Sequence, residues 1–452
     1  MNPADSSATP PPAPARPWQN WAGNAGGRPA AWAAPRHPDE VCALVAEHHD
    51  RGQPLSVVGA GHSYAPLISP ERRTLVSLER LSGITAQTET TVTVAAGTTV
   101  QELNRLLRQR GLALPDQSAI AEQTIAGAVA TATHGSRPGA GSLSQLVRGL
   151  RLATPAEGLL DLGADDPELD AARVHLGALG VVTAVTLEVE PERTFRRTTF
   201  VRPWNHALEE LPALLSHPHA GMWWFPHSPH VMVWTAEPAT GAEHQRRPIP
   251  ARRLIDAGLR NSMRRPWRAR LTAGPTAQLL ARAAPVSGSR EELLVGQPPP
   301  RQLALEYTVP LQHTADALTA LREIVTADRA PIVAPVDIRF SGADSGWLSP
   351  TFQRPGCHLG VAAYLPRNGR PDLRHFQRID SVLAAFDGRP HWAKLHFRNG
   401  AQLAAGYPRW GAFQALRRRW DPLGLLCGPY LASLFGDGTH DPTGNESRAH
   451  GP

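Results

Sequence analysis

The sequence predicts an α+β chain of two domains, and three observations carry that reading. Its 452 residues exceed what one simple core accommodates. Up to about Glu190, short amphipathic helical patterns alternate with β-branched strands. From Phe200 the texture changes to aromatic and β-branched strands with a few helices between them. A hydrophobic content of 41% is compatible with a globular fold.

The elements follow in chain order. Residues 1–16 are rich in Pro, Ala and Ser and read as a disordered tail, as do residues 437–452. The first stretch lacks the apolar core flanked by basic residues that marks a signal peptide. Residues 38–50 are predicted helical: Pro38 suits the first position, Val41, Leu44, Val45 and His48 share a face, and Gly52 ends the run. Residues 55–58 and 91–95 read as strands. Thr99-Val-Gln-Glu102 reads as a capping box opening a helix whose apolar face is Val100, Leu103, Leu106 and Leu107, with Gly111 as its stop. Residues 143–152 and 181–189 read as further strands, the second strongly β-branched. In the second half, residues 223–227 and 230–235 read as two strands around a His-Ser-Pro turn. Residues 301–309, 332–340 and 358–364 read as more strands, with helices near 315–327 and 372–386. No internal repeat is evident.

Composition narrows the function classes. Cys42, Cys357 and Cys427 lie far apart with no Cys-x-x-Cys, so neither a metal site nor a disulfide framework is expected, and a reducing cytoplasm is the default location. No run of about 18 apolar residues exists, so no transmembrane helix is expected. The net charge is +6, and residues 245–270 hold nine arginines against Asp256 alone. This stretch, Gln245 to Arg270, reads as a solvated insertion, with a peripheral membrane or anionic contact left open. No nucleic-acid module accompanies it, so no nucleic-acid partner is expected. Lys394 is the single lysine, beside 45 arginines. An arginine bias of that kind suggests a GC-rich genome. A lysine that persists under it marks a place for a compact charge with a movable pKa, which arginine does not supply; chance survival is the alternative.

Two segments carry chemistry. Val57-Val-Gly-Ala-Gly-His-Ser-Tyr-Ala65 follows a strand, and its glycines let the backbone approach a ligand and aim N–H groups at an anion. Pro66 argues against a long helix, so the loop is not of Rossmann type. On local grounds His62 is a turn histidine or a ligand. Gln123-Thr-Ile-Ala-Gly-Ala-Val-Ala-Thr-Ala-Thr-His-Gly-Ser136 allows close backbone approach through its small residues, and its Thr-His-Gly-Ser end is hard to explain as packing. Asp337 and Arg339 alternate on one strand and so face one side, either as a surface ion pair or as part of a site.

Taken together, these segments resemble FAD enzymes of the vanillyl-alcohol-oxidase type, in the branch of the aldonolactone oxidases (gulonolactone and arabinonolactone oxidases) and alditol oxidases. The resemblance rests on Gly59-Ala-Gly-His-Ser63, Thr124-Ile-Ala-Gly127, Thr133-His-Gly-Ser136 and the run from Gly177 to Pro191. In the second half it rests on Trp224-Phe-Pro-His227, Pro335-Val-Asp-Ile-Arg-Phe340, Trp347-Leu-Ser-Pro350, His391-Trp-Ala-Lys394, Asp421-Pro-x-Gly424 and Pro429-Tyr-Leu431. They occur in family order over residues 17–436.

The resemblance implies an FAD-binding domain of two sub-domains over 17–191 and an α+β substrate domain over 192–390 capping the flavin. A C-terminal segment, 391–436, returns to the cofactor. It implies FAD bonded covalently through His62 to the flavin 8α-methyl carbon. Val58, Gly59, Ala60, Gly61, Ser63 and Tyr64 are implied at the pyrophosphate loop. Thr124, Gly127, Thr131, Thr133, His134, Gly135 and Ser136 are implied along the flavin and phosphates, and Val181 and Val182 at the adenine end. Lys394, Arg339 and Asp337 are the implied catalytic residues. The implied reaction is oxidation of a CH–OH group of a sugar lactone or polyol by hydride transfer to flavin N5. Electrons pass to molecular oxygen, giving hydrogen peroxide, or to another acceptor. Three positions depart from the family pattern, all around the substrate: Ala362 where a histidine is usual, Gly428 where an asparagine is usual, and Asp337 where the acid is usually glutamate.

Overall fold

The computed structural model describes residues 16–239, 274–278, 286–296, 299–327, 332, 334–365 and 372–436. The expected tails at 1–15 and 437–452 and the arginine-rich stretch 245–270 lie outside the described residues.

The first half is built on two sheets. Strands Ala31–Ala33, Thr74–Ser77 and Leu55–Val58 form a small parallel sheet with Thr74–Ser77 in the middle. A five-stranded antiparallel sheet runs in the order Gly158–Leu162, Val147–Thr154, Val181–Glu188, Thr91–Ala95, Ile84–Gln87. Helix Pro38–Asp50 forms where the apolar spacing places it, with Pro38 in its first turn and Val41, Val45 and His48 buried. Val41 and Val45 pack in one core with Leu55, Val92, Val94 and Leu150.

Two local expectations change. The strand expected over 143–152 starts later: Leu143–Leu146 is a 3-10 turn and the strand is Val147–Thr154. Ser142 and Ser144 divert the chain, because their hydroxyls donate to Asp344 (2.5 Å) and to the Val129 carbonyl (2.7 Å). Helix Val100–Arg108 is capped by Thr99, whose hydroxyl accepts the Glu102 N–H at 3.1 Å. The other arm of the expected box is taken up elsewhere: the Glu102 carboxylate accepts two hydrogen bonds from Arg105, at 2.7 and 2.8 Å.

The second half is built on an eight-stranded antiparallel sheet. Its order is Val286–Ser289, Thr194–Pro203, His230–Pro238, His219–Trp224, Val336–Ser341, Gly356–Tyr364, Gln302–Pro310, Arg389–Pro390. The strand expected over 223–227 is displaced to His219–Trp224, since Pro226 cannot donate to the ladder and His227 turns left-handed with φ +70°. The strand expected over 332–340 is Val336–Ser341, beginning just after Pro335.

Period-two alternation gives this sheet two chemically different faces. On one, Trp224, Val233, Ile338, Leu359, Leu305 and Tyr307 are buried with Leu318, Leu321, Phe376 and Ile379. These last four lie on helices Thr314–Ala327 and Arg374–Ala385. Each fully buried Leu or Ile contributes roughly 1.5–3 kcal/mol, so the fold draws its stability from this side. On the other face, the register sets Trp223 beside Asp337, Asp337 beside Gly360 and Gly360 beside Glu306. After Pro390 the chain crosses back: Trp392, Tyr407, Phe413 and Trp420 all join the core of the first half. No described helix is long and apolar enough to cross a membrane.

The half-formed cap makes a prediction. Thr99→Ala should destabilise the protein by about 1 kcal/mol, whereas Glu102→Ala should change stability by less than about half of that, both read from denaturant midpoints. A larger loss for Glu102→Ala than for Thr99→Ala would mean the full box forms.

Candidate active site

A cavity opens between the first half of the chain and the C-terminal segment, with Ala393, Leu426 and Leu431 completing its wall. Of the residues expected to hold a cofactor, Gly59, Ala60, Gly61, His62, Ser63, Thr124, Gly127, Thr131 and Val182 line it. Gln123, Gly180, Ala393 and Leu431, which lie within the quoted motifs without an assigned role, line it too, as do Ser56, His175 and Leu176, which sequence reasoning did not single out. Most of these are small or apolar and carry no signal of their own outside a folded wall.

The glycines do what their chemistry allows. A Cβ on Gly59 would lie 2.2 Å from Thr124 Oγ1, so the loop and the Thr124 segment meet only because residue 59 has no side chain. Gly61 has φ +68°, a conformation that glycine adopts freely. The loop is then pinned from behind. Gly61 O accepts the Trp21 N–H at 2.8 Å, Asn20 Nδ2 donates to Ser63 O at 2.9 Å, and Asn24 Nδ2 donates to Tyr64 O at 2.8 Å. Tyr64 N donates to Ala393 O at 2.7 Å, which ties the loop to the C-terminal segment. The His62 ring stacks on Trp21, centroids 5.6 Å apart. Burial lowers its pKa, Glu122 opposes this and Lys394 reinforces it, so the imidazole is held neutral. Close backbone approach at Gly59 and Gly61 and small apolar walls together fit a flavin dinucleotide.

The remaining expected cofactor residues lie off the cavity wall. Val58 and Val181 are buried and do not line it. Thr133 Oγ1 donates to Gln123 Oε1 at 3.3 Å. Gly135 sits against Asp116, where a Cβ would come within 2.2 Å of Oδ1. Ser136 Oγ donates to the Ala220 carbonyl and accepts the Phe340 N–H at 3.3 Å. The Thr-His-Gly-Ser segment therefore clips the first half onto the large sheet, and His134 reaches through to a buried cluster.

That cluster centres on Glu306, which sequence reasoning missed. His134 Nε2 lies 2.5 Å from Glu306 Oε1, and Lys394 Nζ lies 3.9 Å from Oε2. His391 is the third member, and ligand-type atoms of His134, Glu306 and His391 fall within 4.8 Å of one another. Such a trio has the donor types and spacing that can hold a metal ion, and its hydrogen bonds constrain the ring tautomers. His391 Nδ1 accepts the Ala393 N–H at 3.1 Å, which puts the ring proton of the neutral form on Nε2. Gly135 O can only accept, so His134 Nδ1 is the donor in their 3.0 Å contact.

Electrostatics follow from burial. Desolvation pushes the Glu306 carboxyl up, yet His134, His391 and Lys394 together hold it well below its ordinary 4.5. Burial pushes His391 down to about 3. His358 stacks on His134 with centroids 3.5 Å apart, bonds Thr308 Oγ1 (2.8 Å) and Ser341 Oγ (2.6 Å), and is driven well below its ordinary value by burial. Lys394 Nζ also rests 5.0 Å from the centroid of the Tyr64 ring.

Asp337 and Arg339 do not form the exposed pair that was the alternative. Arg339 is buried, and its Nε donates to Asp337 Oδ2 at 2.8 Å, while Asp337 Oδ1 accepts the Trp223 indole N–H at 2.8 Å. Arg197 adds a further cation there; burial lowers it to about 10, Arg339 adding to the effect and Asp337 opposing it. Gly360 leaves the space between Asp337 and Glu306 without a side chain, and the half-buried Ala362 follows on the same side of the strand.

Comparison with known proteins agrees with this geometry. Residues 29–163 match an FAD-binding domain, and residues 185–434 match the D-arabinono-1,4-lactone oxidase family. The chain is 29% identical to an L-gulono-1,4-lactone dehydrogenase of Mycobacterium tuberculosis, over 93% of this chain and 99% of that one. It is 28% identical to the L-gulonolactone oxidase of Bos taurus and 29% identical to an alditol oxidase of a Streptomyces species, each over 92% of this chain and 98% of the relative. Among solved structures, a solvent-stable cholesterol oxidase shares the fold with a TM-score of 0.77 at 20% identity, over 93% of this chain and 97% of that one. A cavity walled by the glycine loop, a buried charge cluster beside it and a family match spanning the second half converge on one assignment. The chain belongs to the D-arabinono-1,4-lactone oxidase family of FAD-linked oxidoreductases.

Proposed function

We propose that the protein oxidises a CH–OH group of a sugar-derived substrate, an aldono-1,4-lactone or a polyol, with FAD in the cavity and oxygen as electron acceptor. One observation carries the reading: the single lysine of the chain sits beside the partly buried Glu306, across Gly360 from the Asp337–Arg339 pair, while its neighbour Ala393 lines the cavity. The same reading assigns an FAD domain to 17–191, a substrate domain to 192–390 and a returning segment to 391–436.

Bound FAD would supply the hydride acceptor. The protein's part is to orient the substrate and stabilise charge. Lys394, whose Nζ lies 5.0 Å from the Tyr64 ring centroid and 3.9 Å from Glu306, stabilises negative charge on the substrate oxygen as the hydroxyl proton passes to a neighbouring histidine or to solvent. Arg339 supplies a second cation. Both Asp337 oxygens are engaged, by Trp223 and by Arg339, which supports an orienting role for this acid rather than proton removal. With its carboxyl held well below 4.5, Glu306 is a weak base and acts by holding Lys394 in place. His62, neutral and clamped on Trp21, is the residue we assign to covalent flavin attachment. The dehydrogenase named among the relatives supports a second reading, in which a different acceptor replaces oxygen.

Three outcomes test these assignments. Lys394→Met should keep the yellow colour but slow flavin reduction roughly 10²–10³-fold, the usual cost of removing one charge-stabilising donor; wild-type turnover would remove Lys394 from the mechanism. Acid-precipitated wild type should retain flavin absorbance in the pellet and His62→Ala should release it, whereas release from the wild type would refute covalent attachment. A panel of aldonolactones and polyols should bleach the flavin, with one peroxide formed per turnover in air. Bleaching without peroxide would select the dehydrogenase reading.

A further inference from the structure

On the site face of the large sheet, beyond Asp337, lies an arginine that the proposed mechanism leaves unused. Arg197 stands on strand Thr194–Pro203 and is partly buried. Its guanidinium lies over two indole rings, 4.9 Å from the Trp223 centroid and 4.6 Å from that of Trp234. Contact of this kind holds a guanidinium in place without neutralising it. One terminal nitrogen donates to Leu293 O at 2.6 Å. Arg197 has no other hydrogen-bond partner and no ion pair among the described residues.

Register brings this arginine toward the Asp337–Arg339 pair. Arg197 pairs with Ala236, Trp234 with Gly221, and Gly221 with Arg339. Two strands therefore lie between the two arginines, and their indoles fill the gap. A Cβ on Gly221 would lie 2.6 Å from the Trp234 ring, so that indole packs directly over the glycine, toward Arg339. Trp223 links the same groups: its ring carries Arg197, and its indole N–H donates to Asp337 Oδ1.

The charges at this end do not balance. Arg197 and Arg339 bring two positive charges, and Asp337 brings one negative charge. Asp337 is already committed, Oδ1 to Trp223 and Oδ2 to Arg339 Nε. Arg339 has no further hydrogen-bond partner among the described residues, which leaves its terminal nitrogens to a ligand. The Asp337 side chain is 35% exposed, so the space beside the pair is open. A surplus guanidinium set over aromatic rings favours an anion, and its planar fork matches the two oxygens of a carboxylate. One surplus charge suits a carboxylate monoanion better than a phosphate dianion.

The reacting end lies across the sheet. Lys394 is beside Glu306, Glu306 pairs with Gly360, and Gly360 pairs with Asp337. Two strand spacings, roughly 10 Å, separate Glu306 from Asp337, a span that a linear chain of about six carbons covers with a hydrogen bond at each end.

We propose that the substrate is a sugar acid whose carboxylate is bound by Arg197 and Arg339, with the hydroxyl to be oxidised at the far end beside Lys394. The proposal rests on reading this face as the substrate site, and it narrows the polyol of the proposed function to one that carries a carboxylate.

D-gluconate and D-glucitol test it, because they share a carbon chain and differ at one end by the carboxylate. Half-saturation of flavin reduction in anaerobic stopped flow gives the affinity of the full-length holoenzyme for each. The wild type should prefer D-gluconate roughly 10–100-fold, the worth of a hydrogen bond to a charged group. Arg197→Met keeps a stem over the rings but removes the charge, and should lower that ratio about tenfold, whereas Arg197→Lys, which keeps the charge, should lower it less than about threefold. Equal affinity for the two compounds in the wild type overturns the carboxylate site, and this comparison stands even if Arg197→Met does not fold. A ratio unchanged in Arg197→Met removes Arg197 from it. Tighter binding of D-glucitol 6-phosphate than of D-gluconate overturns the sugar-acid assignment in favour of a phosphate. If no polyol, sugar acid or lactone reduces the flavin, the proposed function itself fails; the shift of the oxidised flavin spectrum then gives the same affinities and judges the anion site separately.

Discussion

A carboxylate inside a protein must be matched or neutralised, because removing its hydration costs several kcal/mol. Glu306 meets that demand with three partners from distant parts of the chain. His134 comes from the segment that follows the cofactor loop, and His391 and Lys394 from the returning C-terminal segment. The match requires all three segments to arrive together. The Ser136 clip to Ala220, the Tyr64–Ala393 bond and the pairing of Leu395 with Ala304 at 2.9 Å are the backbone means by which they do. The same charge positions Lys394, whose Nζ lies 3.9 Å from Glu306 and 5.0 Å from the Tyr64 ring centroid.

The large sheet makes such a site compatible with stability. Its helix-covered face buries Leu, Ile, Val, Phe and Trp side chains in one core. That leaves the opposite face free to carry Glu306, Asp337, Arg339 and His358, none of which would be tolerated in an apolar layer. The two faces are the odd and even positions of the same strands.

Much of this was legible in the sequence where the signal is local. Helix Pro38–Asp50 and strands Leu55–Val58 and Thr91–Ala95 follow from spacing and β-branching. The lone Lys394 stood out because arginine replaces lysine everywhere else in the chain. The glycine loop was legible as a place of close backbone approach. What local patterns missed depends on tertiary pairing. Glu306 is a single charge inside Leu303-Ala-Leu-Glu-Tyr-Thr-Val309, and nothing in that run says that a histidine 172 residues away will meet it. The one sign was a charge inside an otherwise apolar strand. His175 is likewise anonymous in the sequence, since only the fold brings it to the cavity wall. The strands at 143–152 and 223–227 were misplaced where serine side chains and Pro226 outcompete the ladder. The Thr-His-Gly-Ser segment was legible as chemistry, but the structure gives it contacts toward the sheet.

The central claim is that Glu306 acts through Lys394 by fixing its position. A double-mutant cycle on flavin reduction, comparing Glu306→Gln, Lys394→Met and the two together in stopped flow, tests it most directly. The account predicts strong non-additivity: with Lys394 gone, adding Glu306→Gln should slow reduction by no more than about threefold further. Fully additive losses, with the double variant slower than Lys394→Met by the whole factor seen for Glu306→Gln alone, would contradict it.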